Sequence, residues 1–499
     1  MSYVLLASVF VIATCGLVYE LIAGALASYL LGDSITQFST VIGVYLFSMG
    51  IGSYLSRFIN RNLIAVFVKV ELLIGLIGGF SAAILFVSFE YITSFRVLLY
   101  GIVGLTGVLV GFEIPILMRI MQNRFEFKDL VSKVFTFDYI GALLASLLFP
   151  LILVPHLGLI KSAFLFGIFN VVVAIWTLFL FAEELRWVSL MKGVGFAVLA
   201  ALVFGFVYSD RIQSFSEASN YHDKIIYSKT TRYQRLVLTS AGGDLRLFLN
   251  GNLQFSSRDE YRYHEGLIHV GLASIKQPRT ALVLGGGDGL AVREILKYPS
   301  IEEIILVDLD REMTDLFTKH PLLQELNQGS LSSPKVKVIN DDAFLWLKKN
   351  PDMKFDFVAI DFPDPSNFSV GKLYTTAFYK LLKPVLAQRG VGVIQSTSPY
   401  VAKKSFWCVN NTLQYAGFKT APYHVYVPAF GDWGYILIHQ SDFKIPDQYP
   451  QGLRFINNSV AKSLFVFPAD QIFASRDVNR LNNQILVRHF EDEWAGYVQ

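Results

Sequence analysis

The sequence predicts a multi-pass α-helical membrane domain followed by a small β-domain and an α/β, doubly wound Rossmann-like domain. Three observations carry that prediction. Long apolar stretches crowd the first two hundred residues. A hairpin-type alternation of apolar and polar residues follows them. Short β-branched strands then alternate with helical segments, four of the strands ending in glycines or acids.

The bulk numbers agree. A chain of 499 residues is long enough for two or three domains. Hydrophobic residues make up 53% and charged residues 17%, against roughly 25% charged in an ordinary soluble domain. The imbalance sits in the first part of the chain, which is almost uncharged. A formal charge of +3, with no basic stripe interleaved with aromatics, argues against a nucleic-acid partner. Cys15 and Cys408 lie far apart and suggest neither a disulfide framework nor a metal site. No metal is expected, and His264 and His269 read as pocket and helix-face residues rather than ligands.

In the membrane domain (1–210), the apolar stretches are Tyr3–Leu31, Ile35–Ile59, Leu63–Phe89, Phe95–Met121, Phe135–Leu157, Ile160–Ala182 and Leu190–Tyr208. Each reaches the roughly 20 residues a bilayer crossing needs, so about seven spans are expected. The first reads as an anchor, without the basic leader or cleavage signal of a secretory peptide. Basic residues gather in the even loops, at Arg57 and Arg61, at Arg119, Arg124, Lys128 and Lys133, and at Arg186 and Lys192. The positive-inside rule then sets the N-terminus in the cytoplasm, and seven crossings would leave the remainder outside, where no nucleotide is supplied. Phe135–Leu157, with Asp138, Pro150 and Pro155, is therefore the stretch expected to be re-entrant. The overall expectation is a multi-pass protein of the cell membrane, in the lipid bilayer, with a cytoplasmic catalytic domain. Glu20, Glu71, Glu113 and Asp138 lie in or beside the spans, where acids are costly and point to function; a cavity for cationic ligands is the sharper reading of them.

Asp210–Asn220 reads as a polar linker. The small β-domain (221–270) contains Arg235–Thr239 and Leu245–Leu249 around Gly242-Gly243, a hairpin signature. In the Rossmann-like domain (271–440), Thr280–Leu284, Ile304–Val307, Val336–Ile339, Phe355–Ile360 and Gly392–Ile394 read as strands, and Leu290–Lys297 and Lys372–Leu386 as helices. Such an order implies a doubly wound parallel sheet with its ligand at the carboxyl ends of the strands. The extension 441–499 looks irregular, and no chemistry is assigned to it.

The strand ends carry the chemistry. The first runs into Gly285-Gly-Gly-Asp-Gly289, where glycines permit a tight turn and close backbone approach to a ligand. Dinucleotide and S-adenosyl binders share that pattern. The second ends in Asp308, suited to ribose hydroxyls. The third ends in Asp341-Asp342-Ala343, positioned for an adenine edge, and the fourth in Asp361-Phe-Pro-Asp364-Pro365, at the crevice mouth. A single acid at a strand end is commonly a cap; four in succession are not explained that way.

With these residues in view, the chain resembles the spermidine synthases, or polyamine aminopropyltransferases, and in particular their membrane-bound branch. The resemblance covers about Tyr233 to Gln440. It rests on Tyr233-Gln234, Leu249-Asn-Gly251 with Gln254, Asp259-Glu260, Tyr263-His264-Glu265, Gly285-Gly-Gly-Asp-Gly289 with Arg293-Glu294, Val307-Asp308, Asp342-Ala343 and Asp361-Phe-Pro-Asp364-Pro365. Cys15-Gly-Leu-Val-Tyr-Glu20, Asp138-Tyr-Ile-Gly141 and Val478-Asn-Arg-Leu-Asn-Asn-Gln484 also look like that branch. The resemblance implies a fold of the S-adenosylmethionine-binding type. Decarboxylated S-adenosylmethionine is the implied co-substrate, with no prosthetic group. Gly285 and Gly287 would lie along the donor, Gln234 and Asp288 would hold its aminopropyl end, Asp308 its ribose, and Asp342 with Ala343 its adenine. Tyr263 and His264 would sit between donor and acceptor. Asp361 would accept the proton, and Asp364 would help hold the acceptor amine. Soluble relatives form dimers or tetramers, which makes a homodimer the expected assembly.

The chemistry suits that assignment. The donor carbon is activated by the neighbouring sulfonium, whereas the attacking amine must first lose a proton, which a carboxylate can take. Asp288 would repel the carboxylate of intact S-adenosylmethionine and so select the decarboxylated donor. Asn250, Asp308 in place of a more usual Glu, Phe362-Pro363 and Phe430 depart from the family pattern and bear on which amine is accepted. Two other readings are weighed: an S-adenosylmethionine-dependent methyltransferase of the same fold, and a membrane transporter with a polyamine- or nucleotide-sensing domain.

Overall fold

The computed structural model describes residues 2–31, 34–92, 94–122, 125–185, 187–221, 223–441 and 443–497. Arg124 and Arg186, counted above among the loop charges, lie outside them. The chain divides into two compact units, Met1–Lys224 and Ile225–Gln499.

The first unit is helical: α1 (Ser2–Leu31), α2 (Ser34–Ser56), α3 (Leu63–Tyr91), α4 (Phe95–Met121), α5 (Phe127–Leu148), a π-helical segment Phe149–Leu157, α6 (Gly158–Leu180) and α7 (Val188–Asn220). Six helical stretches are long and apolar enough to cross a membrane: Val4–Ser28, Thr36–Ser56, Leu63–Phe89, Phe95–Met121, Phe127–Leu180 and Val188–Ser209. The fifth of these has two legs. Thr14 Oγ1 donates to Gly141 O at 3.3 Å, while the adjacent Cys15 Sγ lies 3.6 Å from Phe166 O. Twenty-five residues (166 − 141) of straight helix would hold those carbonyls about 37 Å apart. The chain therefore reverses between them, at Gly158, whose φ of 73° and ψ of 177° are not helical.

Phe135–Leu157 belongs to the first of these two legs. It stays helical throughout, with Pro150 and Pro155 accommodated in the widened π-helical turns. Small residues let the helices meet closely. A Cβ at Gly52 would lie 1.9 Å from Val108 O, and one at Gly111 2.1 Å from Met49 O, so α2 and α4 touch backbone to backbone. The expected linker Asp210–Asn220 is instead the last three turns of α7, because nothing in its polar run breaks a helix.

The second unit opens with a four-stranded antiparallel sheet, β1 (Lys224–Thr230), β2 (Arg235–Ala241), β3 (Asp244–Leu249) and β4 (Asn252–Ser256). Ala241 pairs with Asp244 across Gly242-Gly243, both at positive φ (57° and 79°), the two-residue hairpin that the sequence predicts. Next comes α8 (Glu260–Leu272), then a seven-stranded sheet: β5 (Thr280–Gly285), β6 (Glu303–Asp308), β7 (Val336–Asn340), β8 (Phe355–Asp361), β9 (Leu386–Gln395), β10 (Lys419–Val427) and β11 (Gly431–His439). The order is β10-β11-β9-β8-β5-β6-β7, with β5 to β9 parallel and β10–β11 an antiparallel addition. Alternate residues of β5 pack on opposite faces, Ala281 and Val283 into one core and Leu282 and Leu284 into the other, as a doubly covered sheet requires. The winding direction reverses between β5 and β8, which places the ligand crevice at their carboxyl ends.

The segment 441–499 packs into this unit. The Glu265 carboxylate accepts from the backbone N–H groups of Arg454, Phe455 and Ile456 at 2.7–2.8 Å. Buried Asn479 donates to the carbonyls of Gly371 and Tyr374 at 3.2 and 3.1 Å. The tail therefore fixes the chain that follows the Asp361–Asp364 loop.

Candidate active site

The crevice floor is the turn after β5. Gly285, Gly286 and Gly289 adopt φ values of 80°, 65° and 75°, which side chains disfavour. Space is equally short: a Cβ at Gly285 would meet Asp361 O at 2.2 Å, and one at Gly287 the Asp308 carboxyl carbon at 2.7 Å. The turn delivers the chain into α9 (Leu290–Ile295).

Three acids line this turn, and a fourth, Asp364, follows the end of β8. Asp288 is buried, and its Oδ1 accepts from Leu290 N at 2.9 Å. Burial raises its pKa, partly countered by the charge of His264. Asp308 accepts from Gly287 N at 3.0 Å and Asp310 N at 2.8 Å; burial outweighs these bonds and lifts it to about 7. Asp361 lies in register with Gly285 on the adjacent strand. Its Oδ1 accepts from the Tyr263 hydroxyl at 2.5 Å. Burial and the nearby Asp288 charge raise it to about 6, with His264 and Tyr263 opposing. Asp364 is held by Gln395 Nε2 at 3.2 Å and Thr397 Oγ1 at 3.1 Å, and burial raises it to about 6.

One cation answers these acids. His264 Nδ1 lies 2.8 Å from Glu260 Oε2 and 2.9 Å from Glu260 O. Both are acceptors, so Nδ1 carries the proton. Burial alone would lower the His264 pKa; Glu260 reverses that and carries it to about 9, helped by the charges of Asp288 and Asp361. Glu260 is itself clamped by both terminal nitrogens of Arg293, at 2.9 Å each, and Arg293 Nε donates to Glu294 at 3.0 Å. Glu294 in turn lies 2.8 Å from His269 Nε2. All five residues are buried, and such a chain keeps charge in the interior only because each member is paired.

Not every residue named from the sequence meets the crevice with a free side chain. Asp342 lies two residues beyond β7 and caps the helix Ala343–Lys349, with Oδ1 accepting from Phe344 N (2.8 Å) and Leu345 N (3.2 Å) while Oδ2 pairs with Lys372 at 2.7 Å. Ala343 is the first residue of that helix and is buried. Gln234 Nε2 donates to Asp310 Oδ2 at 3.1 Å, two residues beyond Asp308, so its amide is on the β6 side of the crevice. Asp288, Asp361 and His264 are within electrostatic reach of one another.

The sequence reading missed Glu260 and Arg293 as the support of His264, and Gln395 and Thr397 as the support of Asp364. Gln395 ends β9, one residue beyond the strand end expected at Ile394, and the strand-end rule would have found it. Trp433 Nε1 donates to Gln395 Oε1 at 3.2 Å, and Phe430 packs edge-on to Tyr263; neither has a signal in the sequence alone.

The Spermine/spermidine synthase domain model matches residues 260–447. The chain is 52% identical over 494 residues to the polyamine aminopropyltransferase of Leptospira interrogans serogroup Icterohaemorrhagiae serovar copenhageni, covering 99% of each chain. It is 53% identical over 504 residues to polyamine aminopropyltransferase 2 of Ralstonia nicotianae, again covering 99% of each. Among solved structures, the spermidine synthase from Thermotoga maritima aligns at 25% identity with a TM-score of 0.45, over 49% of this chain and 85% of that one. Identity at this level along the whole length, the long apolar helices included, means that the chain belongs to the spermine/spermidine synthase family of polyamine aminopropyltransferases.

Proposed function

We propose that the chain transfers the aminopropyl group of decarboxylated S-adenosylmethionine to an amine such as putrescine, giving spermidine and methylthioadenosine. The observation that carries this reading is the grouping of Asp288 and Asp361 with protonated His264 at the glycine turn of the sheet's switch point. Both substrates are cations, and a net-negative crevice attracts them.

Asp288 holds the donor's aminopropyl ammonium, assisted by Gln234, and Asp308 the ribose. Ala343 and the Asp342 cap border the adenine, and Gly285 and Gly287 let the nucleoside lie against the backbone. Asp364 and Tyr263 position the acceptor. Asp361 accepts a proton from the attacking nitrogen, whose lone pair forms the new C–N bond as the C–S bond breaks and the neutral thioether leaves. A carboxyl held at about 6 is a better base than an ordinary aspartate. Positioning supplies most of the remaining rate. Supplying decarboxylated S-adenosylmethionine with a panel of amines and following methylthioadenosine by mass spectrometry tests this, with Asp361→Asn alongside. Product lost in that variant is expected; turnover only with intact S-adenosylmethionine would make the chain a methyltransferase.

The proposed setting is the cell membrane, with the catalytic unit on the cytoplasmic side where the donor is made, and a homodimer as the assembly. Seven helical legs then put the N-terminus on the opposite side, against the charge bias of the loops. Impermeant thiol labelling of cysteines introduced near each end decides it.

A further inference from the structure

Five helices of the membrane unit each send a polar side chain to one place in an otherwise apolar bundle. Tyr19 of α1 donates to Asn170 Oδ1 of α6 at 3.0 Å, and Asn170 Nδ2 donates to Glu71 Oε2 of α3 at 2.8 Å. Glu71 is in hydrogen-bonding contact with Glu113 of α4. Tyr45 of α2, whose hydroxyl donates to Gly16 O at 2.8 Å, lies within electrostatic reach of Glu113. Tyr19, Tyr45, Glu71, Glu113 and Asn170 are 0–3% exposed.

Two carboxyls in contact cannot both be ionised there. A hydrogen bond between them requires a shared proton. Oε1 of each has no donor from any other residue, although both atoms are buried. Among the described residues neither forms an ion pair with a basic side chain, and every titratable group in electrostatic reach is itself an acid: Cys15 and Tyr19 on α1, Tyr45 on α2 and Asp138 on α5, with Glu20 beside Tyr45. Uncompensated charge at such depth costs several kcal/mol. The negative charge latent in this pair therefore has to be cancelled from outside the protein, by protons or by another cation. Intramembrane acids that face a bundle interior in this way mark ion and substrate paths.

We propose that Glu71 and Glu113, with Asn170 and Tyr19, form an exchangeable cation site in which a proton and an alkylammonium group compete, so that the membrane unit carries amines in exchange for protons. When an ammonium enters, one carboxyl O–H bond breaks, its proton leaves to water and the site's charge is unchanged. Two carboxylate oxygens without donors suit an ammonium head, which brings N–H donors and no acceptor. The site itself stands on the membrane unit's own geometry; only the choice of an amine as the ligand rests on the proposed aminopropyl transfer.

The test uses the full chain. In detergent, a protonated-carboxyl infrared band that shifts in D2O should be present and should bleach when spermidine is added, in the parent protein and in Asp361→Asn alike. It should be missing from the double variant Glu71→Gln/Glu113→Gln, and that variant and each single one should keep aminopropyl transfer and thermal unfolding near those of the parent. In proteoliposomes with an imposed pH gradient, labelled putrescine or spermidine should accumulate, and either glutamine variant should abolish this. A band untouched by amines, uptake that survives both variants, or bleaching by sodium chloride equal to that by spermidine would each overturn the proposal. An amine-sensitive band in a protein that transfers no aminopropyl group would sink the catalytic reading and leave the transport reading standing.

Discussion

The Tyr263 hydroxyl donates to Asp361 Oδ1 at 2.5 Å, which ties a residue proposed to contact the acceptor to the residue proposed as base. The bond favours the ionised carboxyl, against the burial and the Asp288 charge that raise Asp361 to about 6. Removing it in Tyr263→Phe should raise the Asp361 pKa further. Since the carboxylate is the active form, the acidic limb of kcat/KM against pH should move to higher pH. Loss of a bond to a charged group should lower kcat at neutral pH roughly 10- to 100-fold. An unmoved acidic limb would separate Tyr263 from the base.

A second limb belongs to His264. The rate should rise with pH through about 6 as Asp361 loses its proton. It should fall through about 9 as His264 loses the charge that offsets Asp288 and Asp361. Glu260 holds that charge in place, so Glu260→Gln should draw the alkaline limb down toward neutrality while leaving the acidic one. The same change leaves Arg293 buried beside a neutral partner and should cost about 3–5 kcal/mol of stability, read as a lower Tm. A fall in Tm with an unchanged alkaline limb would mean that Glu260 serves only the fold.

The parts of this arrangement that were legible in the sequence are those set by short-range pattern. The hairpin at Gly242-Gly243, the five parallel strands and the acids at or just beyond the ends of four of them all follow from alternation, strand length and turn residues. The antiparallel pair β10–β11 was not legible, because its residues read equally well as a buried run of either type. The support of His264 was hidden for another reason: Glu260 and Arg293 are 33 positions apart (293 − 260), and only the packing of α8 beside α9 brings them to 2.9 Å. Periodicity carries no information about such pairings. Both legs of the apolar stretch Phe127–Leu180 were legible from length, and the gap left between Leu157 and Ile160 brackets the reversal at Gly158.

Asp364 is gripped by Gln395 and by Thr397, a β-branched residue at φ 56°. A conformation so unfavourable for threonine persists only where the surroundings impose it, here through Gly434 N, which donates to Thr397 O at 2.7 Å. Thr397→Val deletes the hydroxyl and keeps the shape. It should raise KM for the acceptor amine about tenfold with donor KM unchanged, as measured by varying each substrate in turn. An equal rise in both would place Asp364 outside the acceptor side.

Lys372 closes an ion pair with Asp342 at 2.7 Å, and both side chains are partly exposed. Pairs of this kind contribute little to stability, so Lys372→Met should leave Tm within a degree or so. The segment carrying Lys372 is nevertheless anchored by this contact to Asp342, on the side of the crevice proposed for the adenine. Its loss should therefore raise donor KM a few-fold and speed product release. Single-turnover and steady-state rates compared in the variant check it; identical donor KM would show the pair to be incidental.

Gly287 and Asp308 are matched to each other. The Gly287 N–H donates to Asp308 Oδ2 at 3.0 Å, and a Cβ on Gly287 would lie 2.7 Å from both that oxygen and the carboxyl carbon. In Gly287→Ala the carboxyl has to move, yet its other oxygen is held by Asp310 N at 2.8 Å. The displacement breaks the Gly287 bond, which is one of the two contacts that hold the Asp308 pKa down to about 7. Asp308 should then stay protonated to higher pH and accept fewer ribose hydrogen bonds. Donor KM should rise roughly tenfold or more at neutral pH and recover partly as the pH is raised, whereas acceptor KM should change little because Asp364 is bound through β9. Asp308→Asn should show the same loss without the recovery. A Gly287→Ala enzyme whose donor KM is raised equally at every pH would mean that the alanine blocks the nucleoside directly and that Asp308 is not the group displaced.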